Sequence, residues 1–311
     1  MYFNNKQGDK LMHNLKSNFD RIKPIVKESL ANFIDSNGNI NKIGAKPKFS
    51  DVDLIALSLV AESLSINSEN LLFAKLRSEY QEDFPLLIDR SQFNRRRKHL
   101  AKFINIVRET LVQKLLPAED TFILDSMPVE ICKFTRAKRI KICKESIETA
   151  PEYGYCAAQN SHYFGYKFHG VCSLNGVITS FDLSKANHAD IQYLRDIEPY
   201  YANCLMLGDK AYLDSEYQLE LFETRGIQLN TPMRSNQKNY RRQPALFRKV
   251  RKRIETLFSQ LVDQFVIRVN YAKTFVGLAT RILSKVTAFT LLQFLNSINN
   301  KPLNHIKHAL A

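Results

Sequence analysis

Apolar residues recur at three- to four-residue spacing along the first third of the chain. Phe19, Ile22, Ile25, Val26, Leu30 and Phe33 predict one face of a helix from Lys16 to Ile34. Asn37-Gly38-Asn39 breaks it. Ser50-Asp51 is a cap for a helix from Val52 to Leu64, Ser65-Ile66-Asn67 a turn, and Ser68 the start of another helix to about Tyr80. Two short helices around a tight turn have a helix-turn-helix outline, which most such pairs share without binding anything. Asp89 or Ser91 can cap a longer helix through Leu116.

The pattern changes near residue 117. After a short linker from Pro117 to Asp120, short apolar runs alternate with helical spacing. Strands are predicted from Thr121 to Leu124, Tyr163 to Cys172, Val177 to Leu183, Asn203 to Leu207 and Ile227 to Leu229. Helices are predicted from Ala189 to Glu198, Ser215 to Thr224, Leu246 to Leu261 and Val276 to Ile298. This order predicts an α/β fold, a mixed sheet flanked by helices, preceded by an all-helical amino-terminal domain. The expected division is 1–117 for the helical domain, 118–300 for the second domain and 301–311 for a tail.

Charge adds a partner to that picture. Among 311 residues, 45 Lys and Arg face 31 acids, a formal net of +14, which points to a polyanion. Nucleic acid is the leading candidate and an anionic membrane the weaker one. No apolar run approaches the roughly 18–20 residues of a spanning helix, and Met1 to Lys10 lacks the apolar core of a signal peptide. Cys132, Cys143, Cys156, Cys172 and Cys204 are odd in number and form no Cys-x-x-Cys pair. They read as free thiols of a cytoplasmic protein rather than disulfides or a zinc site. No Gly-rich phosphate loop speaks for ATP use.

Two stretches share a grammar: Phe122-Ile-Leu runs into Asp125, and Leu205-Met-Leu-Gly runs into Asp209. Asp is disfavoured in strands, and ligands collect at strand ends in α/β sheets. A third acid, Glu255, follows a stretch from Arg234 to Arg253 that holds nine Lys and Arg and no acid. It sits at the edge of the apolar stripe Val250, Ile254, Leu257 and Leu261. Three acids suit Mg²⁺, which takes oxygen ligands and keeps several waters. Two such ions can stabilise both the attacking and the leaving oxygen of a phosphodiester displacement. Each acid has a plainer reading. Asp125 can cap a turn at Ser126-Met127-Pro128, Asp209 can pair with Lys210, and Glu255 with Arg251 one turn earlier.

The cations have two readings as well. From Arg90 to Arg108 there are seven Lys and Arg and no acid, with Gln92 and Asn94 beside Arg95, Arg96 and Arg97. That is a DNA-contacting helix, cations for phosphates and amides for base edges, or the solvated face of a core helix. Lys133 to Lys144, including Lys138 and Arg139, holds six cations without an acid and reads equally as a DNA-facing or a solvated loop. Tyr240, Arg241 and Arg242 combine a stacking ring with cations. Lys210, Arg248, Arg251 and Lys252 complete the set of expected DNA contacts. Lys167 and His169 lie on a predicted strand and can reach phosphate or serve structure, and Asp190 reads as a helix cap.

Four stretches, in order, carry a resemblance: Phe122-Ile-Leu-Asp-Ser-Met-Pro-Val-Glu-Ile131, Phe164-Gly-Tyr-Lys-Phe-His-Gly170, Leu207-Gly-Asp-Lys-Ala-Tyr212 and Arg251-Lys-Arg-Ile-Glu-Thr-Leu-Phe258. The chain resembles bacterial insertion-sequence transposases of the DDE class, more narrowly the insertion-sequence family conventionally numbered nine hundred and eighty-two. The resemblance implies a ribonuclease-H-like catalytic domain, with Asp125, Asp209 and Glu255 as catalytic acids that hold Mg²⁺ or Mn²⁺, two ions. It also implies double-stranded DNA as substrate (the element's terminal inverted repeats and the target), and a homodimer or larger assembly on DNA. Related transposases often carry Tyr-x-x-Arg-x-x-x-Glu-x6-Lys around the last acid. Here Arg251 and Glu255 keep their spacing, while Arg248 and Val262 stand in the Tyr and Lys slots. The rival readings are a metal-dependent nuclease on the same fold and an inactive DNA-binding remnant.

Overall fold

The computed structural model describes residues 14–41, 43–116, 118–237 and 240–310, with residue 158 described by its backbone alone. The stretch from Met1 to Lys10 and the linker residue Pro117 lie outside them. Two compact units divide the chain: one takes the residues up to Leu115, Gln264–Val266 and those from Val276, the other Leu116–Asp263 and Ile267–Phe275.

The first unit opens with five helices: α1 (Leu15–Ser29), α2 (Asp51–Ser63), α3 (Glu69–Glu79), α4 (Arg90–His99) and α5 (Ala101–Leu115). Their starts follow local chemistry. Ser50, Ser68 and Asp89 each accept a hydrogen bond from a backbone N–H in the first turn of α2, α3 and α4. The expected long basic helix is broken at Leu100, which leaves helical geometry (φ −89°, ψ 4°).

The second unit is built on one six-stranded sheet: β1 (Thr121–Cys132), β2 (Glu152–Cys156), β3 (Ser161–Ser173), β4 (Ile178–Lys185), β5 (Leu205–Leu207) and β6 (Gln228–Asn230). The order is β2-β3-β1-β5-β6, with β4 also on β3. β1, β3 and β4 run antiparallel, whereas β5 and β6 join β1 in parallel. Helices α6 (Asp190–Ile197), α7 (Ser215–Arg225) and α8 (Ala245–Asp263) flank it. This is the ribonuclease-H-like mixed sheet, after an all-helical region.

Side chains alternate between the two faces of a strand, and that alternation organises the unit. Phe122, Leu124, Val171 and Met206 pack with Leu194, Ile197, Tyr217 and Leu221 of α6 and α7. The other face carries Phe168, whose ring meets Phe258 of α8 edge-on at 5.8 Å. Gly170 makes that approach possible: a Cβ there would sit 3.1 Å from the Phe258 ring.

Two strand expectations change. β1 runs to Cys132 rather than ending at Leu124, so Asp125 lies within a strand and no turn forms at Ser126-Met127-Pro128. β5 pairs with β1 only as far as Ile123, so Pro128 sits where that edge of β1 is open, the position at which a strand tolerates proline. β2, short and interrupted by Gly154, carries too little apolar alternation to be read from sequence.

Helix α9 (Phe275–Ile298) belongs almost wholly to the first unit, not to the second domain expected at 118–300. It is apolar on nearly every side and so must be surrounded. By length and composition it could also cross a membrane, contrary to the expectation that no apolar run is long enough; 72% of that window is buried in the fold. Residues 301–310, the expected tail, pack into the same unit. Ile306 and Ala309 are buried, and Arg21 donates to the Ala309 carbonyl.

The same unit buries charge. Lys285 of α9 pairs with Glu62 of α2, both nearly inaccessible. Arg97 reaches Glu69 at 2.7 Å and Glu62 at 3.9 Å, Asn94 donates to Glu69 at 2.8 Å, and Arg96 meets buried Asp51 at 2.6 Å. Burial pushes the Lys285 and Arg97 pKa values down.

Candidate active site

Strand register brings two acids level. Thr121, Phe122 and Ile123 pair with Leu205, Met206 and Leu207. Asp125 and Asp209 each follow two residues after the last pair, Asp125 within β1 and Asp209 just past the end of the parallel β5. Asp125 pairs across β3 with Gly170 and so lies on the face that α8 covers. Arg251, Ile254, Glu255 and Phe258 share one side of α8 at helical spacing. Phe258 fixes that side at Gly170, Ile254 is buried, and Arg251 Nη2 comes within 3.8 Å of Asp125 Oδ2. Glu255 is exposed one turn beyond Arg251.

Electrostatics tie the acids together. Burial pushes Asp125 up to about 7, and the nearby Asp209 and Glu255 charges push the same way against the Ser126 backbone N–H and Arg251. Asp209 is also raised by burial, opposed by the Ala211 N–H and by Arg251. Asp209 Oδ1 accepts from that N–H at 2.7 Å, capping the 3-10 turn Lys210–Tyr212. Among the described residues, no three His, Cys, Asp or Glu side chains are grouped to hold a metal ion as they stand. The donor set fits a hard cation on its chemistry: three carboxylates, all oxygen, of which Asp125 is raised first by burial and further by the charges of the other two.

A second polar cluster lies on the opposite face of the sheet. Asp190 accepts from Ser126 Oγ at 3.1 Å and pairs with Lys167 at 2.9 Å, with His169 Nδ1 at 3.8 Å. Asp190 therefore joins β1, β3 and α6; the cap position belongs to Ala189, and no side chain caps that helix. His169 is fully buried, hydrogen-bonded to Ser184 and stacked on Tyr193, and burial pushes it down to about 4. Lys167 and Asp190 both act on Asp209, so this cluster borders the acids. An Asp opening a helix signalled it only ambiguously in the sequence.

The cations sort into three groups. Lys210, Tyr240, Arg241, Arg242, Arg248 and Arg251 line one cavity of about 320 Å³. Lys138, Arg139 and Lys252 are exposed and do not line it. On α4, Gln92 and Arg95 are exposed, but Asn94, Arg96 and Arg97 are taken up by Glu69, Asp51 and Glu62. Buried carboxylates demand partners; Arg97, itself buried, and Arg96 supply them to Glu62 and Asp51 within the fold, and Asn94 meets half-buried Glu69.

The family model described as transposase DDE domain matches residues 116–291. No curated protein and no solved structure matches the chain.

Proposed function

The chain belongs to the family of transposases with a DDE domain, and on that premise we propose that it cuts the ends of its own insertion sequence and joins them to target DNA. The observation that carries this reading is the level placement of Asp125 and Asp209 beside Arg251 and Glu255 of α8. The acids would hold two divalent ions, Mg²⁺ or Mn²⁺, which supply positive charge to the attacking and leaving oxygens. Loss of the Asp125 proton is part of assembling the site, since that carboxyl titrates near 7. Arg251 lines the basic cavity and also reaches Asp125, so a strand gripped there by its phosphates passes beside the acids. Tyr240 offers a ring in the same cavity. Water attack frees a 3′-hydroxyl at the element's end, and that hydroxyl then attacks target DNA, the same three acids serving both displacements.

The substrate is double-stranded DNA, the terminal inverted repeats and the target, engaged by at least two subunits on paired ends. Membership of the narrower insertion-sequence family is part of the same proposal. So is a cytoplasmic location, supported by five free cysteines.

Strand cleavage tests the reading. Purified protein meets a labelled duplex carrying the gene's own flanking DNA, in Mg²⁺ or EDTA, beside Asp125→Asn, Asp209→Asn and Glu255→Gln. The expected result is a cut at a defined position that needs metal and every one of the three acids, while duplex binding survives each substitution. Substantial cleavage by any one variant removes that acid from the site.

A further inference from the structure

The far end of the sheet in the second unit carries a face of rings that the acids do not use. Tyr153 and Tyr155 of β2 stand opposite Phe164 and His162 of β3 in the register. Their centroids lie 4.9 Å apart for Tyr153 and Phe164 and 5.0 Å for Tyr155 and His162. Phe134 joins from the turn after β1, 5.5 Å from Tyr153 and 6.1 Å from His162. Four of these rings are open to solvent, Phe134 (46% exposed), Tyr153 (42%), Tyr155 (52%) and His162, while Phe164 is buried beneath them. Gly154 between the tyrosines faces inward, where a Cβ would sit 2.7 Å from Ala186, so β2 lies close and turns both phenols outward.

The chain that leads into this face is basic. Lys133, Arg136, Lys138, Arg139, Lys141 and Lys144 are all exposed, with no acid among them in sequence. Lys144 holds its ammonium over the Phe164 ring at 5.4 Å. A contiguous aromatic patch left open marks an interaction surface, and its cationic border selects a polyanion. Duplex DNA hides the faces of its bases in the stack and shows only their edges. Rings open to solvent therefore suit unstacked bases.

We propose that Phe134, Tyr153, Tyr155 and His162, backed by the buried ring of Phe164, form a stacking platform for unpaired bases of the DNA substrate, with the Lys133 to Lys144 cations holding its phosphates. The inference rests on the transposase reading and adds to it a single-stranded substrate segment. Phe164 and Gly170, the partner of Asp125, are six residues apart on β3, about 20 Å at strand rise. The platform is thus separate from the acids, yet on the strand that runs beside them.

Fluorescence anisotropy of the full chain tests it, with an end-labelled thymidine oligonucleotide and a duplex of equal length as probes. The Tyr153→Ala/Tyr155→Ala protein is expected to bind the single strand at least tenfold more weakly and the duplex within twofold of the parent. Tyr153→Phe/Tyr155→Phe, which keeps both rings, is expected to bind both probes like the parent, and unfolding curves verify that each variant is folded. Single-strand affinity unchanged in the alanine pair overturns the proposal. So does a parent that binds duplex but no single strand, an outcome that leaves the transposase reading standing. A parent that binds neither probe removes both. Loss of a protein dimer in sedimentation, with single-strand binding intact, would assign the face to a second copy of the chain and overturn the platform.

Discussion

Truncating Arg97 to alanine separates the two roles open to the basic helix α4. Arg97 is 5% exposed, lies between Glu69 at 2.7 Å and Glu62 at 3.9 Å, and shares Glu62 with Lys285. Removing it leaves buried Glu62 and half-buried Glu69 each short of a partner. Breaking a buried ion pair by deleting one member costs about 3–5 kcal/mol. Glu62 keeps Lys285 and Glu69 keeps Asn94, so about 3 kcal/mol is expected. Arg95, two residues earlier and exposed, makes the control. Its alanine variant should unfold within about 0.5 kcal/mol of the parent. If Arg95 meets a phosphate, that variant flattens the salt dependence of duplex binding by about 0.9 in log–log slope. Urea unfolding followed by circular dichroism, and a salt titration of binding, read the two effects separately. An Arg97→Ala protein as stable as the parent, with a flattened salt slope, would refute the buried assignment and return the side chain to the DNA face.

Three further outcomes follow from the same contacts. With metal removed by EDTA, Asp125→Asn should be more stable than the parent by about 2–4 kcal/mol at pH 8. The parent's Asp125 carboxyl is raised to about 7, so its contribution is intact below the ordinary carboxylate value of 3.8 and is lost as pH rises through 7. The gap should close by pH 4, and Mg²⁺ should raise the parent's melting temperature but not the variant's. His169 has the opposite pH sense: held down at about 4, it contributes stability that is full above 6.5 and fades as pH falls from 6.5 toward 4. The parent should therefore lose up to about 3 kcal/mol more than His169→Gln between pH 7 and 4 in urea unfolding; parallel pH curves would contradict a buried neutral ring. Gly170→Ala places a methyl 3.1 Å from the Phe258 ring and should displace α8, lowering single-turnover cleavage more than its cost of about 1–3 kcal/mol in a thermal melt implies. Full cleavage would show that α8 does not depend on that approach.

Much of the local structure was legible in the chain. The caps Ser50, Ser68 and Asp89 act within one helical turn of themselves, so their effect needs no distant partner. The stripe Ile254, Leu257 and Leu261 declared which side of α8 is buried, because helical spacing alone sets that side. The three acids stood out because carboxylates beside short apolar runs, or alone in a basic stretch, conflict with local preference. What they meet was not legible. That Asp125 lies inside a strand depends on β5 ending its pairing at Ile123, which opens the edge Pro128 needs. That Arg97 meets Glu62 depends on α4 packing against α2, and Lys285 of α9 reaches the same acid from 223 residues away in sequence. A charge run looks the same whether its partners are phosphates or buried carboxylates. Sequence spacing determined the elements, the faces of the helices and the candidate acids, since those follow from contacts within a turn or along a strand. Only the tertiary structure decided which cations serve the interior, where α9 belongs and which rings lie open on the sheet, because each depends on what long-range packing leaves desolvated or exposed.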